Sequence, residues 1–449
     1  MRISWIDILE RIEHELKQLQ EEGEDVAALV RQWKDVKRKN LPESEFRNKA
    51  EEFYREIEGG VSAAREFPYE PSSWEIATQL YPVDVEEVPS YSPAFLENRI
   101  LGGWLGRAAG CLLGKPVEKI PRKGIKEMLL SNGTWPLREY ITERGIPQSL
   151  LQQYPWNKHG GRESLKESIA CMTEDDDMNY PMLNLDVLET YGNNFDSQHV
   201  ARTWLAILPV LSTFTAERVA YVNYLSGIQP PQTALLRNPY REWIGAQIRA
   251  DIWGWASPAQ PSRAAELAWR DASLSHVRNG IYGEVFFAVA IADSFDCDDM
   301  RQLVSNALKF IPPQSRFAEA IRFVVSLPVE KMNWEETVNQ LYDTFGSYHW
   351  VHTINNAALV VAALLFSEND FGRAICNVVM GGWDTDSNGA TVGSIMGTML
   401  GADNLPQQWT EPLHDRILSS LKGFDNARFT DLARRTLGVA QFHSSDSTQ

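Results

Sequence analysis

Hydrophobic residues recur along most of this chain at intervals of three and four positions, and no segment shows the convincing alternation that is typical of a β-strand. Spacing of this kind places apolar side chains on one face of a helix. We therefore predict an all-α domain over residues 95–440. The predicted helices span residues 95–113, 164–173, 197–213, 258–272, 282–293, 300–310, 317–327, 334–345, 355–367, 371–380, 389–400 and 407–421.

Residues 1–94 have a different character and form a predicted N-terminal extension. Charged segments with apolar residues at helical spacing predict amphipathic helices over residues 3–38 and 44–58, and the prolines of residues 66–93 indicate a surface linker. The helices are interpreted either as a partner-binding or dimerising arm, or as a helical hairpin packed on the main domain. We expect the extension to be dispensable for chemistry, and the polar tail 441–449 to be frayed.

The composition narrows the range of functions. The formal net charge of −17 argues against a nucleic-acid-binding surface and leaves small molecules or proteins as partners. The longest apolar run, residues 357–366, is too short to cross a membrane, and the N-terminus lacks the apolar core of a signal peptide. The four cysteines stand far apart without a Cys-x-x-Cys pair, which favours free thiols in a reducing compartment. We expect a cytoplasmic protein.

The stretch of residues 381–393 carries the strongest candidate chemistry. Asp384, Asp386 and Ser387 place two carboxylates and a hydroxyl at positions i, i+2 and i+3, an oxygen-only set that suits Mg²⁺, Mn²⁺ or Ca²⁺. The EF-hand calcium loop is disfavoured, because its twelfth position, which needs a glutamate, is Ile395. A turn whose Asp and Ser residues cap the following helix explains this stretch equally well.

A second acidic stretch, Thr173-Glu174-Asp175-Asp176-Asp177, lies roughly two hundred residues before Asp384 in the sequence. Its four consecutive acids stand beside a hydroxyl, with no Lys or Arg between them. Such charges repel one another in a compact fold, and a divalent cation would offset the repulsion. A solvated loop is the alternative interpretation.

Glycine recurs every four residues on one helix face, at positions 102, 106, 110 and 114. This spacing predicts that another backbone packs very close to that face. The pair Gly114-Lys115 resembles the end of a phosphate-binding P-loop, but Ala109 and Pro116 occupy positions where that motif needs Gly and Ser or Thr. Glu118 follows Pro116, outside the helix, where a carboxylate can project into a cleft.

A third region, residues 244–284, supplies polar side chains in short loops. The candidates for substrate binding are Gly245, Gln247, Arg249, His276, Asn279 and Tyr282. Residues of these types line polar ligand pockets, although taken singly they are more often satisfied structural groups.

Taken together and in this order, five segments resemble the motifs of the ADP-ribosylglycohydrolase family. They are Gly110 to Glu118, Thr173 to Asp175, Gly245 to Arg249, Ser275-His276 and Gly382 to Ser387, and the resemblance covers residues 100–402. It implies a compact all-α bundle with a central acidic metal cleft and two Mg²⁺ ions, or Mn²⁺ in their place. It also implies hydrolysis of the bond between the anomeric carbon of an ADP-ribosyl group and its acceptor, in a small molecule or a protein.

The resemblance implies roles for individual residues as well. The metal ligands fall on Thr173, Glu174, Asp175, Asp384, Asp386 and Ser387. The catalytic positions fall on Glu118, Asp175 and Asp384, with Glu118 accepting a proton from water or steering the substrate. Residues 245–249 fall on the loop that lies against the substrate.

The chain departs from the family pattern at several positions. Glu174 and Ser387 stand where the family usually has Asp and Thr, Cys111 replaces an Asp, and a Gly-Trp insertion precedes Asp384. The ligand oxygens are retained, whereas the identity of the substrate is left open. A non-catalytic member of the fold that binds ADP-ribose or serves structurally, like a crystallin, is the alternative. An oligomer formed through the N-terminal extension is a further expectation.

Overall fold

In the computed structural model, which describes residues 3–62, 67–80, 89–328 and 331–441, α-helices are joined by turns and short 3₁₀ segments. These ranges contain no β-strand, only isolated bridges such as the one between Met172 and Ile417. The predicted all-α fold is confirmed. The α-helices are Ile8–Glu21 (α1), Ala27–Arg38 (α2), Glu43–Ile57 (α3), Trp74–Leu80 (α4), Pro93–Gly114 (α5), Arg122–Ser131 (α6), Gln148–Gln153 (α7), Asp176–Tyr191 (α8), Ser197–Ile207 (α9), Thr215–Leu225 (α10), Gln232–Leu235 (α11), Asp251–Trp255 (α12), Pro261–Ala272 (α13), Asn279–Asp293 (α14), Met300–Leu308 (α15), Arg316–Ser326 (α16), Trp334–Phe345 (α17), Thr353–Leu365 (α18), Phe371–Gly381 (α19), Thr385–Leu400 (α20), Gln407–Thr410 (α21) and Phe429–Gln441 (α22).

Helices α5 and α20 form an antiparallel pair whose backbones touch. A Cβ atom built on Gly106 would lie 2.1 Å from the Gly393 carbonyl oxygen, and one built on Gly110 would lie 1.9 Å from the Gly389 carbonyl oxygen. Only glycine leaves room for this approach, so the four-residue glycine repeat of α5 meets a matching repeat on α20. The pairing brings the end of α5 to the start of α20.

Helices α14 and α18 lie at the centre of the main core. The residues of α14 from Asn279 to Ala292 are all buried, as are those of α18 from Thr353 to Leu364. A helix that is apolar around its whole circumference has this position in a large domain. The apolar run 357–366 is therefore part of a core helix.

A membrane-spanning segment needs a long and strongly apolar helix, and none of the helices in the described ranges meets that requirement.

The N-terminal extension has a small core of its own and is docked on the main domain. Helices α1 to α3 share a hydrophobic cluster that includes Ile12, Trp33 and Phe53 and is separate from the main core. Ion pairs and hydrogen bonds attach the extension, among them Arg241 with Glu15 at 2.9 Å and Gln18 with Glu242 at 2.7 Å. The extension thus packs on the main domain, as in the interpretation of these helices as a docked helical hairpin.

Several predicted elements differ from the observed ones. Residues 164–173 form turns instead of a helix, since the segment is held by tertiary bonds such as that from the Lys166 amide to the Ile141 carbonyl. The predicted helix 407–421 ends at Thr410, because Pro412 follows at once and His414 has a positive φ of 49°. The segment predicted as a linker contains α4, while its residues 81–88, like the tail 442–449, lie outside the described residues.

Candidate functional site

The end of α5 and the starts of α8 and α20 converge on one cleft. The Thr385 hydroxyl donates a 2.8 Å hydrogen bond to the Gly114 carbonyl, which ties the first turn of α20 to the last residue of α5. Asp175 is the N-cap of α8 and Asp384 is the N-cap of α20. Two helix N-termini, which favour negative charge, therefore point their acidic residues at the loop that carries Glu118.

The cleft is a cavity of about 130 Å³ with an acidic floor and partly aromatic walls. Both acidic stretches contribute to it, although they are distant in sequence. The lining residues are Trp5, Lys115, Glu118, Lys119, Asn157, His159, Glu174, Asp175, Asp176, Asp177, Phe214, Thr215, Glu217, Ile244, Gly245, Ile248, Trp350, Val351, Asp384, Asp386 and Ser387.

Glu118, Asp384 and Asp386 form one set of carboxylates, which we name the α20 group. Each offers an oxygen atom, and these three atoms all lie within 4.8 Å of one another. Burial and the neighbouring charges of Asp386 and Glu118 raise the pKa of Asp384 well above its ordinary value. Burial, followed by the charge of Glu118, does the same to the pKa of Asp386. A bound divalent cation would reverse both shifts, and an all-oxygen donor set suits Mg²⁺ or Mn²⁺.

The side chains around the α20 group hold it from the outside. Glu118 accepts a hydrogen bond from the Asn157 amide and pairs with Lys119 at 2.9 Å. Asp384 makes no capping bond with its side chain, although it occupies the N-cap position. Its carboxylate thus faces the cleft. The helix-cap interpretation accounts for the N-cap position of Asp384, but it does not account for a side chain that makes no capping bond.

Asp175 and Asp177 form a second set of carboxylates, which we name the α8 group. Their oxygens and the Cys111 sulfur lie within 4.8 Å of one another. Lys115, in contact with Asp175, also donates a 2.9 Å bond to the Glu174 carbonyl. The family resemblance implies Asp175 as a metal ligand, and in this structure a buried lysine ammonium contacts its carboxylate.

Asp177 belongs to a buried network beneath the cleft. The Arg107 guanidinium lies 3.3 Å from the Asp177 carboxylate and 2.8 Å from the Asp251 carboxylate. The Ser387 hydroxyl donates a 3.0 Å hydrogen bond to Asp177. Burial raises the pKa of Asp177 in spite of Arg107. Burial, followed by the charges of Asp175 and Asp177, likewise raises the pKa of the Cys111 thiol, and a sulfur atom suits Mg²⁺ less well than a carboxylate oxygen does.

The sequence model of one protein family, described as ADP-ribosylglycohydrolase, matches residues 92–445 of this chain. The chain belongs to the ADP-ribosylglycohydrolase family. The family match includes both carboxylate groups and leaves α1 to α4 outside it. Members of the ADP-ribosylglycohydrolase family are generally hydrolases of glycosidic bonds, and they act on ADP-ribosylated substrates.

A solved structure titled "ADP-ribosylglycohydrolase-related protein complex" is similar to this family member. The sequence identity is 19% and the TM-score is 0.49, over 78% of this chain and 99% of that chain. A search of curated proteins finds none that matches.

The predicted metal ligands of this ADP-ribosylglycohydrolase family member differ in how deeply they are buried. Asp175, Asp384, Asp386 and Ser387 are buried and line the cleft. Glu174 is exposed at the rim, where it accepts a 3.0 Å bond from the Asn179 amide. Thr173 is half-buried behind the lining, with its hydroxyl 3.5 Å from that of Ser164.

Of the residues predicted to bind substrate, Gly245 lines the cleft. A Cβ atom at this position would lie 2.2 Å from a carboxylate oxygen of Glu217, so glycine lets the Glu217 side chain reach the cleft wall. Gln247 is buried behind the lining, with its amide 3.5 Å from the Thr391 hydroxyl.

The other four predicted substrate residues are buried and are not among the residues that line the cleft. Arg249 pairs with Glu217 at 3.0 Å and Asp271 at 2.8 Å, and His276 shares a 2.9 Å bond with Ser275. Asn279 donates to Glu70 at 2.9 Å and to Glu242 at 2.8 Å, while the Tyr282 hydroxyl donates to the Pro71 carbonyl at 2.7 Å. Their polar groups serve the buried interior and the docking of the segment around Glu70.

The aromatic wall of the cleft was not predicted from the sequence. Trp5, Phe214 and Trp350 line it, and Trp5 comes from the extension that we expected to be dispensable. The Arg218 guanidinium holds this segment by donating a 3.2 Å bond to the Ser4 carbonyl. Spacing offers no signal for such residues, because each is a single aromatic in a segment without a motif. Lys115 was visible in the Gly-Lys-Pro sequence but had no assigned role.

Proposed function

We propose that this protein hydrolyses the glycosidic bond of an ADP-ribosyl or simpler ribosyl compound in a reaction that depends on a divalent cation, Mg²⁺ or Mn²⁺. The observation that carries the proposal is the α20 group, in which Glu118, Asp384 and Asp386 come within 4.8 Å of one another. Three carboxylates at this separation repel one another strongly in a protein interior. The fold holds them together at one end of a cleft, which is the arrangement that a hard cation stabilises.

Asp384 and Asp386 would hold the cation, with Ser387 and the Glu118 carboxylate beside them. When bound, the cation supplies a Lewis acid that polarises sugar hydroxyls and water at the anomeric centre. The additional ligands predicted at Thr173, Glu174 and Asp175 belong to the second position of the two-ion expectation.

Glu118 is the proton-handling group in this proposal. It lies at the edge of the cleft and is less deeply buried than Asp384 or Asp386, so water reaches it. The Asn157 amide and the Lys119 ammonium fix its orientation. Its carboxylate accepts a proton from the attacking water as an oxocarbenium-like state develops on the sugar. Asp175 and Asp384, the other predicted catalytic residues, flank the same space and orient the ribose.

The aromatic wall gives the cleft an apolar side for a ring of the substrate. Trp5, Phe214 and Trp350 would exclude water and contact the base or the leaving group. Lys119, whose side chain is 55% exposed at the rim, offers a cation to a substrate phosphate. Gly245 allows the substrate to lie against the backbone of its loop.

The proposal is tested by incubating the metal-free protein with ADP-ribosylated peptides, ADP-ribose derivatives and nucleosides, with and without Mg²⁺ or Mn²⁺. We expect release of a ribosyl product only with metal, and no release by Asp384→Asn. Metal-independent release would contradict the role of the α20 group. Binding of ADP-ribose without turnover of any compound would instead favour a non-catalytic binding protein.

A further inference from the structure

Lys115 is built into the floor of the cleft. It follows directly on the close-packed end of α5, and its side chain is only 3% exposed. Its ammonium contacts the Asp175 carboxylate and donates a 2.9 Å hydrogen bond to the Glu174 carbonyl. Both acceptors belong to the acidic stretch that starts α8. A buried lysine bonded in this way is a fixed positive charge.

The neighbours of Lys115 leave its side chain little room to move. A Cβ atom built on Gly160 would lie 2.7 Å from the Lys115 Cε atom, so the aliphatic stem packs directly on that glycine. If the side chain moved out, the Glu174 carbonyl would lose this donor, and the Asp175 carboxylate would keep the 2.9 Å bond from the Asp177 amide. Such a loss is costly, because buried acceptors need partners.

The two carboxylate groups therefore differ in the cations that the chain itself supplies. Asp175 and Asp177 of the α8 group contact Lys115 and Arg107 respectively, and both cationic side chains are buried. In the described part of the chain, the ion pair of the α20 group is the one between Glu118 and Lys119 at the rim. The buried Lys115 acts on this group only through its charge, which partly offsets the raised pKa of Asp386. An ammonium has no lone pair to offer a metal, and it repels a divalent ion at the same carboxylate.

We propose that the Lys115 ammonium takes the place of one of the two cations implied by the family resemblance, so that the cleft binds one divalent ion, at the α20 group. This inference rests on the proposed function, since it assumes that the α20 group binds a metal. It assigns Lys115 as a positioning residue that holds Asp175 and the start of α8 without a second metal.

The test is the number of Mn²⁺ ions bound by the full chain after removal of metals with a chelator. Equilibrium dialysis and native mass spectrometry give the stoichiometry, and electron paramagnetic resonance shows whether two ions are close enough to couple. We expect one ion in the wild type, with the spectrum of isolated Mn²⁺. In Lys115→Met we expect two ions and a spin-coupled spectrum, because Asp175 is then free to bind metal.

Two variants control for charge and for folding. Lys119→Met removes a nearby positive charge from the rim and should still bind one ion, while Lys115→Arg keeps the buried charge and should also bind one. If Lys115→Met does not fold, as judged by its melting curve, Lys115→Gln keeps a donor for the Glu174 carbonyl and should bind two.

The outcomes separate the inference from the function on which it rests. Two ions in the wild type, or one ion in a folded Lys115→Met or Lys115→Gln variant, would overturn the role of Lys115. No ion in the wild type with one ion in Lys115→Met would support exclusion by Lys115 and overturn the proposed cation at the α20 group. No binding by either protein would overturn both.

Discussion

The α20 group and the α8 group face the same cleft from two helix N-termini, but they differ in the cationic side chains that pair with their carboxylates. Asp175 and Asp177 are in contact with buried cationic side chains, Lys115 and Arg107. Glu118, Asp384 and Asp386 lie together, and their ion pair in the described residues is with Lys119 at the rim. Acidic residues that line one cleft therefore need not share one role. Protein cations pair with one group, whereas under the proposed function the other binds an external cation.

The largest effect should come from exchanging one carboxylate in each group. Asp386→Asn removes a ligand from the α20 group and should lower kcat about 10³-fold or more while weakening Mg²⁺ binding, because metal stabilisation of the transition state amounts to several kcal/mol. Asp177→Asn, the matched change in the α8 group, should keep Mg²⁺ affinity within a few-fold, since Arg107 already pairs with that carboxylate. Calorimetric titration of both variants measures the contrast, and equal loss of Mg²⁺ binding would remove it.

Glu118→Gln sharpens the comparison within the α20 group. The amide keeps the size of the side chain and its place beside Asn157, but it cannot accept a proton. We expect kcat to fall by about 10²-fold with KM little changed, which is the contribution typical of a general base. Steady-state kinetics at saturating metal measures this. Near wild-type turnover with metal bound would remove Glu118 from the proton-transfer step.

Glu21 is a buried carboxylate outside the cleft and provides a reference for a carboxylate that is partly compensated by a protein cation. The Glu21 side chain is 3% exposed and pairs with Lys17 at 3.3 Å. Burial, partly offset by Lys17, raises its pKa from 4.5 to about 7. The folded protein therefore loses stability as pH rises from 4.5 through 7, because the unfolded chain ionises first.

Glu21→Gln removes that loss. The variant should match the wild type near pH 4.5 and gain up to about 3 kcal/mol of relative stability above pH 7. Urea unfolding at pH 5 and pH 8 measures the difference. A gain that does not grow with pH would show that Glu21 is already ionised in the folded protein at the lower pH.

The smallest effect concerns the wall opposite the carboxylates. Trp5→Ala should raise KM about 3- to 10-fold with kcat nearly unchanged, as expected for loss of one aromatic contact. Tyr69→Ala is the control, since this aromatic residue of the extension is exposed and does not line the cleft. If both variants, or neither, change KM, the extension has no specific contact with the substrate.

The parts of the fold that sequence predicts are those that depend on local pattern. The glycine repeat of α5 indicated a touching backbone, and that backbone belongs to α20, where Gly389 and Gly393 repeat the spacing. Because the pair is antiparallel, the same repeat also brings the Glu118 loop to Asp384 and Asp386. The order of the motifs along the chain indicated the family, whose model matches residues 92–445.

The parts that sequence does not predict depend on distant partners. Arg249 carries no mark that distinguishes a substrate clamp from a buried ion pair, and its partners Glu217 and Asp271 lie on other elements. Lys115 pairs with a carboxylate sixty positions away, and Trp5 reaches the cleft from outside the family match. The turn segment 164–173 has helical spacing, but tertiary hydrogen bonds override it.

The division of the cleft into one cation-binding group and one group paired with protein cations is tested most directly by an anomalous difference map from crystals of the full chain grown with Mn²⁺. We expect one strong peak within about 2.2 Å of carboxylate oxygens from Asp384 and Asp386, beside Glu118, with the Lys115 ammonium still at Asp175. A second peak of equal height at Asp175, with Lys115 displaced, would contradict the division of the cleft into two unlike groups. The absence of any peak at the α20 group would contradict its role as the cation site.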